Sequence, residues 1–402
     1  MPPDERRLLV VAPEMPWPAN HGARVDMWHR YLGLRRDGWS LALVGWGGEP
    51  VSPELHRVFD LVVPLPLRRA PGRLVRMMRL PSLAAARQVG GARFAAVLGA
   101  ARPFRPAAIV CESIYGFDLA RRLGVALVAP VLVRSHNIEF RYMATQFRLA
   151  QTARQKLQIA AARLHLRRYE ETALRSAAAV LDISQPDAAF WHGRGVRSIS
   201  WVPPAFPDLE DGADKGPGWA DRRFDIGYLG NLWAPNNVAA ANWFLDAVLP
   251  LIRQRRDDIE ILIAGAGAAP ELTRKIAGTP NVTLIENPDD AVALRQQVRV
   301  LINPILAGGG LNTKSLEMLF CASPIVATPF ALVGIPEAVW GAYEVAGTAR
   351  GFADSIVAAL ARPYVADAAR LAARERFGRG AITALSELLL QEIAAHRDRS
   401  WR

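Results

Sequence analysis

The chain has 402 residues, of which 51% are hydrophobic and 22% are charged, so it is long enough for two domains with separate cores. Its 49 Lys and Arg residues outnumber its 38 Asp and Glu residues, and the net charge of +11 favours anionic partners such as nucleotides, anionic lipid or nucleic acid. The two cysteines, Cys111 and Cys321, lie far apart in apolar surroundings, which excludes a disulfide framework and favours a reducing compartment. No segment has the length of a signal sequence or a membrane-spanning helix, so we expect a cytoplasmic protein.

The first half of the chain alternates short apolar runs with helical stretches. Residues 8–12 form a continuous apolar run, typical of a parallel strand covered on both faces, and a loop rich in proline and glycine follows it as far as Gly22. A helix is predicted over 25–37. Further strands are predicted at 40–46, 61–64, 107–111, 131–134 and 179–183. This alternation favours a doubly wound sheet with right-handed crossovers.

A second series of strands and helices begins after residues 201–212, which combine prolines with acidic residues and show no helical period. We predict this segment to be an interdomain linker. The residues that follow predict a helix at 239–251 and strands at 224–229, 260–264, 282–285, 298–302 and 325–327.

The expected fold is therefore α/β, with two Rossmann-like, doubly wound domains at 1–200 and 213–375. The carboxyl ends of their strands are expected to face a shared central cleft, because such sheets bind ligands there. The final segment, 376–402, contains an amphipathic helix at about 380–396 that could cross back to the first domain.

The most informative stretch is 304–328, which predicts a strand end, a glycine loop, a helix and a strand. The loop and the residues leading into the helix are Gly308, Gly309, Gly310, Leu311, Asn312 and Thr313. Glycines allow backbone amides to approach an anion, and Asn312 or Thr313 can cap the helix.

Lys314 and Glu317 occupy one face of that predicted helix. A cation in the first turn is disfavoured by the helix dipole unless an anion meets it, and a carboxylate one turn deeper can accept from a pair of ribose hydroxyls. The pattern predicts a site for a nucleoside diphosphate. The alternative is a glycine turn before an ordinary helix that carries a Lys–Glu pair.

At this point the chain resembles the GT-B retaining glycosyltransferases, and within them the group-one (family 4-like) enzymes. The matching pieces, in chain order, are Pro16-Trp-Pro18 with Gly22-Ala-Arg24, Arg134-Ser-His136-Asn137-Ile-Glu139, Gly227-Tyr-Leu-Gly230-Asn231 with Pro235-Asn236, and the run 308–324. Their order and spacing carry the resemblance over nearly the whole chain. It implies a GT-B fold with an acceptor-side first domain and a second domain that binds a nucleotide-sugar donor.

Two positions depart from the pattern of the relatives. Their donor loop commonly holds a pair of glutamates, of which Glu317 matches the second, whereas Gly309 occupies the place of the first. Because that first carboxylate holds a hydroxyl of the transferred sugar in relatives, the donor sugar is left open. Many relatives also clamp the diphosphate with an Arg and a Lys, and here the aligned residues are Asn231 and Asn236. Lys314 is then the main local cation, together with the loop amides.

The resemblance also gives roles to residues of the first half. Gly22 and Arg24 would help to bind the donor at a helix entry, with a plain turn glycine and a surface arginine as the alternative. His136 would contact the transferred sugar near the reacting carbon, and otherwise it caps a strand end. Glu139, with Asn137 beside it, would orient His136 or bind an acceptor hydroxyl, and otherwise it is a helix-start carboxylate.

The implied reaction retains the anomeric configuration and uses no identified protein nucleophile. The motifs offer no closely spaced carboxylate pair of the kind that retaining glycosidases use. We therefore expect Lys314 and the loop amides to position and stabilise the leaving diphosphate, which could itself accept the proton of the acceptor. No Asp-x-Asp follows a strand, so no metal is predicted. We also expect no cofactor, because the nucleotide-diphosphate sugar is the donor substrate. Backbone groups at 286–290 are expected to border the base.

Two arginine-rich stretches point to the acceptor side. The first lies within 65–79 and the second within 148–168; the arginines of the first are Arg68, Arg69, Arg73, Arg76 and Arg79. Arginine stems among apolar residues suit an anionic membrane surface, such as the inner face of the cell membrane. The alternative is a solvated helix face. The acceptor itself is left open among a glycan, a lipid-linked compound and a small hydroxyl compound.

Three other functions would suit parts of this sequence. A sugar-nucleotide epimerase of the same architecture is the main alternative. A nicotinamide oxidoreductase is disfavoured because Gly265-Ala-Gly267-Ala-Ala-Pro270 places a proline at the third glycine position of the fingerprint and follows an inner strand. A nucleic-acid-binding protein is not expected, because the aromatic residues do not alternate with basic ones as a stacking platform requires.

Overall fold

The computed structural model describes residues 3–19, 22–48, 50–67, 73–150, 152–210, 212–213, 215–307, 311–361 and 363–400. The chain divides into two compact units: an N-terminal unit of Met1–Ala19, Ala23–Ala205 and Gly380–Arg402, and a C-terminal unit of Phe206–Arg379 with Asn20–Gly22. Five residues named above lie outside the described residues, namely Gly308, Gly309, Gly310, Arg68 and Arg69, and the side chain of Arg73 is not described either.

The N-terminal unit is built on a seven-stranded parallel sheet with the order β3-β2-β1-β4-β5-β6-β7. Its strands are β1 (Arg7–Ala12), β2 (Ser40–Trp46), β3 (Leu61–Leu65), β4 (Ala108–Cys111), β5 (Val131–Ser135), β6 (Ala179–Asp182) and β7 (Ile199–Trp201). The first six agree with the predicted strands to within one residue at each end, because continuous apolar runs mark strands that are buried on both faces. The sequence did not predict β7, a three-residue, half-buried edge strand that overlaps the start of the expected linker.

The C-terminal unit holds a second parallel sheet of six strands, with the order β10-β9-β8-β11-β12-β13. These strands are β8 (Phe224–Leu229), β9 (Ile261–Gly265), β10 (Val282–Glu286), β11 (Val298–Asn303), β12 (Ile325–Ala327) and β13 (Glu344–Val345). The expected α/β class with two Rossmann-like parallel sheets is therefore confirmed. In each sheet the strand order reverses once, between β1 and β4 and between β8 and β11, and ligands of such sheets bind beside the carboxyl ends at these reversals.

Helices cover the sheets. In chain order they are α1 (Gly22–Arg36), α2 (Arg73–Met77), α3 (Ser82–Ala86), α4 (Gly91–Ala101), α5 (Phe117–Leu127), α6 (Glu139–Leu149), α7 (Ala153–Arg163), α8 (Leu166–Ser176), α9 (Gln185–His192), α10 (Pro207–Glu210), α11 (Pro235–Trp243), α12 (Leu249–Arg253), α13 (Pro270–Ala277), α14 (Ala291–Gln296), α15 (Thr313–Met318), α16 (Ala349–Leu360), α17 (Ala368–Phe377) and α18 (Arg379–Ser400). The expected linker is thus partly regular, since Pro207 opens α10 at a position where a missing backbone N–H costs nothing.

The helix predicted at 239–251 differs from the observed one in its start and in its middle. It begins at Pro235, the first helical position that proline favours, and a π-helical segment, Phe244–Val248, separates α11 from α12. Pro250 is the second residue of α12, which begins directly after the π-helical segment. A proline inside a helix cannot bond to the carbonyl four residues before it, and the wider π turn accommodates this lost bond.

Both faces of the N-terminal sheet are packed. Alternate residues of β1 point to opposite sides, so Leu9 and Val11 join one buried cluster whereas Leu8 and Val10 join the other. Helix α18 covers the second face with apolar residues that include Leu385 and Leu389. The indole Nε1 of buried Trp39 donates a hydrogen bond of 2.8 Å to the hydroxyl of Ser386 on this helix. The last helix is therefore part of the N-terminal unit.

One glycine of the C-terminal unit is fixed by the close approach of two strand ends. Gly265, at the end of β9, has φ +148°, and a Cβ at this position would lie 1.6 Å from the carbonyl oxygen of Gly230. Only a residue without a side chain fits both this conformation and this distance. The contact brings the end of β9 against the end of β8, beside the reversal in strand order.

We predict that Gly265→Ala destabilises the protein by about 3 kcal/mol or more, because backbone strain and overlap with Gly230 add together. Urea unfolding monitored by circular dichroism measures this loss. Gly278→Ala is the control in the same unit, since the nearest atoms to its added Cβ lie at 3.6 Å, an ordinary contact distance. Equal stability of the two variants would contradict the assigned backbone geometry at Gly265.

Candidate active site

In the C-terminal unit, Lys314 is held at the carboxyl end of β8. It lies in the first turn of α15, and its ammonium donates to Asn237 Oδ1 at 2.9 Å and to the hydroxyl of Tyr228 at 3.2 Å. The ammonium also stands 4.8 Å from the centre of the Tyr228 ring, a cation–π contact. Asn237 is fixed in turn, because its Nδ2 donates to the backbone carbonyl of Asn231 at 2.8 Å.

Both groups that hold Lys314 are neutral, so they orient the ammonium without cancelling its charge. Burial lowers the pKa of Lys314 to about 7, although the carboxylate of Glu317 acts in the opposite direction. The site therefore contains a cation whose charge is poised near neutral pH. An anion placed beside it would favour the charged form.

Glu317 is buried in an ion pair that the sequence did not reveal. Its Oε2 accepts a hydrogen bond from Arg295 Nη2, and both side chains are less than a tenth exposed. Arg295 lies on α14, and its Nη1 is buried with no hydrogen-bond partner among the described residues. The pair fixes α15 against α14. The expected contact between Glu317 and a ribose stays a prediction.

The other donor-site residues of this unit lie around the same strand ends. Gly230 and Asn231 follow β8, and a Cβ added to Gly230 would lie 3.0 Å from Lys314 Nζ. Asn236 lies half-buried in the first turn of α11, but it is Asn237, one residue further, that contacts Lys314. Asn237 was missed because Asn236 was chosen from the alignment with the relatives, and the helix was predicted to start only at 239.

Three residues at the entry to α15 were also expected to take part. Leu311 is buried, whereas Asn312 and Thr313 are half-buried. Asn312 takes the N-cap position with an extended backbone, but its side chain makes no capping hydrogen bond with the described residues. The capping role expected of Asn312 is therefore not observed, and the helix begins at Thr313.

In the N-terminal unit, His136 follows β5 and is oriented by a carboxylate of α1. Its Nε2 lies 3.2 Å from Oδ2 of the buried Asp26. Arg134 donates to both oxygens of that carboxylate, with Nε at 3.2 Å and Nη2 at 3.1 Å. Asp26 is thus a partner of His136 that sequence reasoning missed.

A second carboxylate completes this charged cluster. Glu112 follows β4, and Arg30 on α1 donates to its two oxygens at 3.1 and 2.7 Å and to Asp26 at 3.2 Å. The hydroxyl of Tyr31 also donates to Glu112. Two guanidiniums therefore balance two carboxylates. Burial alone would raise the pKa of Asp26, but Arg134, Arg30 and His136 hold the pKa of that carboxyl well below its usual range.

The same cluster contains three groups of the kind that bind metals. One ligand atom each from Asp26, Glu112 and His136 can be chosen so that all lie within 4.8 Å of one another. A divalent cation would have to displace the charge-assisted hydrogen bonds of Arg30 and Arg134 and would add positive charge to a balanced cluster. The donor set therefore does not fit a metal, and the cluster is a buried ion-pair network.

Glu139 is the first residue of α6. Its carboxylate accepts from the hydroxyl of Tyr115 at 3.1 Å and bonds the side chain of Asn137, and burial raises its pKa. The backbone amides of Glu139 and Phe140 donate to the carboxylate of Glu170 at 2.8 and 3.1 Å. Glu170 therefore provides acceptors for the first backbone amides of α6, so the Glu139 carboxylate does not cap this helix.

Gly22 and Arg24 stand at the start of α1. Arg24 donates to Glu14 Oε2 at 2.8 Å and to the carbonyl of Pro18 at 3.4 Å. Its guanidinium is thus paired within the N-terminal unit, and it would have to release or share Glu14 to bind another anion. Its expected contact with the donor stays a prediction.

Comparison with known proteins now adds to this geometry. Residues 223–362 match the family model described as Glycosyl transferases group 1. This matched range includes Gly230, Lys314 and Glu317. An uncharacterised 44.6 kDa protein in the cps region of Klebsiella pneumoniae is 24% identical over 337 residues, covering 80% of this chain and 82% of that protein. The protein is a transferase of the GT-B fold class.

Solved glycosyltransferase structures share the fold of this transferase at low sequence identity. HepE of Anabaena, in complex with UDP and glucose, is 14% identical with a TM-score of 0.62, over 95% of this chain and 98% of that one. A TarM variant of S. aureus, in complex with fondaparinux, α-GlcNAc-glycerol and UDP, is 9% identical with a TM-score of 0.64, over 96% and 99%. Sucrose-phosphate synthase of Thermosynechococcus elongatus is 14% identical with a TM-score of 0.56, over 98% and 99%.

We predict that Asp26→Asn lowers the free energy of unfolding of the transferase by about 3 kcal/mol or more, because it leaves two buried guanidiniums short of one carboxylate. Asp37→Asn is the control: its pair with Arg6 is about a third exposed, so its loss should cost about 1 kcal/mol or less. The stability that the ionised Asp26 contributes is present above the unfolded pKa and is lost as pH falls through its lower folded pKa. The difference in free energy of unfolding between the wild type and Asp26→Asn should therefore become smaller below about pH 4. A constant difference across that range would contradict the depressed pKa of Asp26.

A second prediction concerns the ammonium of Lys314. The chain has four lysines, Lys156, Lys215, Lys275 and Lys314, so a sample labelled with ¹³C at the lysine ε position should give four resolvable signals. One of them should titrate with a midpoint near the pKa of about 7 and should vanish in Lys314→Gln. If every lysine signal stays unchanged up to about pH 9, where ordinary lysines remain charged, the buried environment assigned to Lys314 is wrong.

Proposed function

We propose that this transferase moves a sugar from a nucleoside diphosphate sugar to a hydroxyl acceptor, with retention of configuration and without a bound metal. The observation that carries the proposal is the ammonium of Lys314, which neutral groups hold beside Gly230 at the reversal in strand order. A leaving diphosphate develops negative charge, and a cation fixed in advance beside it lowers the barrier.

Uridine diphosphate is the nucleotide that we propose first. The HepE and TarM structures named above are complexes with UDP, and their fold is the fold of this chain. The resemblance of the sequence to family 4-like enzymes supports retention. Because Gly309 replaces a sugar-binding glutamate of the relatives, the sugar itself is left to experiment.

The proposed reaction needs no protein nucleophile. The acceptor oxygen forms a bond to the anomeric carbon, the bond from that carbon to the diphosphate oxygen breaks, and the acceptor proton passes to the departing diphosphate. Asp26 and Glu112 suit neither role of a retaining glycosidase, because Arg30 and Arg134 already engage these two carboxylates. The role that the resemblance gives to His136, contact with the transferred sugar, stays a prediction. Glu139 and Asn137 remain our candidates for orienting the sugar or the acceptor.

Other parts of the proposal rest on simpler observations. Cys111 and Cys321 are both free and buried, which supports a reducing, cytoplasmic location. The sugar-nucleotide epimerase is not favoured, because the matched family model and the neighbours named above are glycosyltransferases. The acceptor stays open among glycans, lipid-linked compounds and small hydroxyl compounds.

The test begins with a thermal-shift panel of nucleoside diphosphates, since a ligand that binds the folded state raises its unfolding temperature. We expect UDP to raise the midpoint of the wild type and of Lys215→Gln, an exposed lysine control in the same unit. Lys314→Gln should weaken UDP binding by about tenfold or more, the cost of a hydrogen bond to a charged group. UDP should also raise the titration midpoint of the Lys314 signal.

Labelled UDP-sugars then decide between transfer and the rival reaction. Release of UDP that depends on an added hydroxyl acceptor, with the label recovered on the acceptor, is the expected result. A converted sugar still attached to its nucleotide would support the epimerase instead. If no nucleoside diphosphate binds, or if Lys314→Gln binds as well as Lys215→Gln, the proposed donor site is wrong.

A further inference from the structure

The positive charge of the chain is concentrated in two stretches without acidic residues. Residues 61–111 contain nine arginines and no Asp or Glu, and residues 140–169 contain six arginines, one lysine and again no Asp or Glu. Outside these stretches the chain has 33 basic and 38 acidic residues, so it is net negative there. The excess of +11 therefore originates entirely in two segments of the N-terminal unit.

The fold brings parts of the two segments together. Helix α3 contacts α7, α2 contacts α3, and α7 packs on both α6 and α8. Most of α7 is solvent-exposed, including Arg154, Lys156 and Arg163. We call the surface of α2, α3, α6, α7 and the start of α8 the basic face.

Large aliphatic side chains are exposed among the charges of the basic face. Leu157 on α7 and Met78 after α2 are each 73% exposed, Val75 is 69% exposed and Leu164 is 51% exposed. Such residues gain nothing from contact with water, and their exposure on a cationic surface favours an interaction site. Their aliphatic character disfavours nucleic acid, which binds through aromatic stacking platforms.

A groove of about 440 Å³ opens on the same face. It is lined by Phe140, Phe147, Ala160, Arg163, Leu164 and Arg167. The guanidinium of Arg163 stands 5.3 Å from the ring centre of Phe147, and that of Arg167 stands 5.5 Å from the ring centre of Phe140. The groove therefore has apolar walls and two arginines at its rim, of which Arg167 also pairs with Glu171 at 3.2 Å. This combination suits the boundary between a phosphate headgroup and its acyl chains.

We propose that the basic face docks the protein on the surface of an anionic phospholipid bilayer. The arginines and Lys156 lie at the phosphates, and Leu157, Leu164 and Met78 enter the boundary between headgroups and acyl chains. No helix in the part of the chain that the structure describes has the length and hydropathy to cross a bilayer. The docking depends on this face alone and not on the nucleotide site, so it stands or falls separately from the proposed reaction.

The test is cosedimentation of the full chain with vesicles of phosphatidylcholine alone or with about a third phosphatidylglycerol. We expect binding to the anionic vesicles only, and a decline of binding with added salt. The double variant Arg154→Glu/Lys156→Glu should lose at least about 25-fold in partition coefficient, since each basic residue near an anionic surface contributes roughly fivefold. Arg274→Glu/Arg350→Glu changes the net charge equally at exposed positions of the C-terminal unit and should retain binding.

An apolar pair of variants separates insertion from simple charge attraction. Leu157→Asp should weaken binding severalfold, whereas Val125→Asp, at a position 76% exposed on α5 of the same unit, should not. All variants change exposed side chains, and unchanged unfolding temperatures will confirm that they fold. Equal binding to neutral vesicles, no binding to either kind, or equal losses in test and control variants would overturn the proposal. Sensitivity of RNA binding to the same substitutions, without vesicle binding, would replace it with a nucleic-acid surface.

Discussion

The buried pairing of Asp26 with Arg134 and Arg30 determines how the N-terminal unit presents its strand ends. These groups, with Glu112, join α1 to the carboxyl ends of β4 and β5 and place His136 against Asp26. Removing four charges from water costs several kcal/mol per ion, which only their mutual hydrogen bonds offset. The arrangement is therefore stable as a whole and unstable when any member is lost. Such a cluster fixes geometry well, and it is poorly suited to exchange its partners for a ligand.

At the reversal in strand order of its own sheet, the C-terminal unit has a lysine without a paired carboxylate among the described residues. Lys314 is held by the hydroxyl of Tyr228 and the amide of Asn237, which supply direction but no negative charge. The pKa of Lys314 falls to about 7 because burial outweighs the opposing effect of Glu317. Asp26 stays ionised because the nearby positive charges outweigh the effect of its burial. Two sheets of the same topology thus carry one closed ion-pair network and one uncompensated cation. Only the second leaves electrostatic free energy for an anion to gain, and this asymmetry supports the donor assignment for the C-terminal unit.

The sequence predicted the strands because parallel strands appear as apolar runs. It pointed to Lys314 because glycine loops and first-turn residues are local patterns. It missed the partners of those residues for a physical reason. Asp26 and Arg134 are 108 positions apart, and Arg295 and Glu317 are 22 apart, so no local pattern joins them. The resemblance pointed to Asn236, whereas the residue that contacts Lys314 is the next one, Asn237. The roles of Gly308, Gly309 and Gly310 stay predictions outside the described residues.

The distribution of charge changes what the net charge of +11 can be used to argue. A nucleotide site needs only a few well-placed donors. In the proposed site one lysine, Lys314, is oriented by neutral groups. Sixteen basic residues fall within 61–111 and 140–169 of the other unit, and no Asp or Glu falls within those ranges. The described helix α7 carries some of them together with the exposed Leu157. Bulk charge of this kind acts over a surface and is screened by salt, whereas the buried lysine acts over a few ångströms and is screened little. The two features therefore suit different ligands, and the net charge of the chain reflects mainly the basic face.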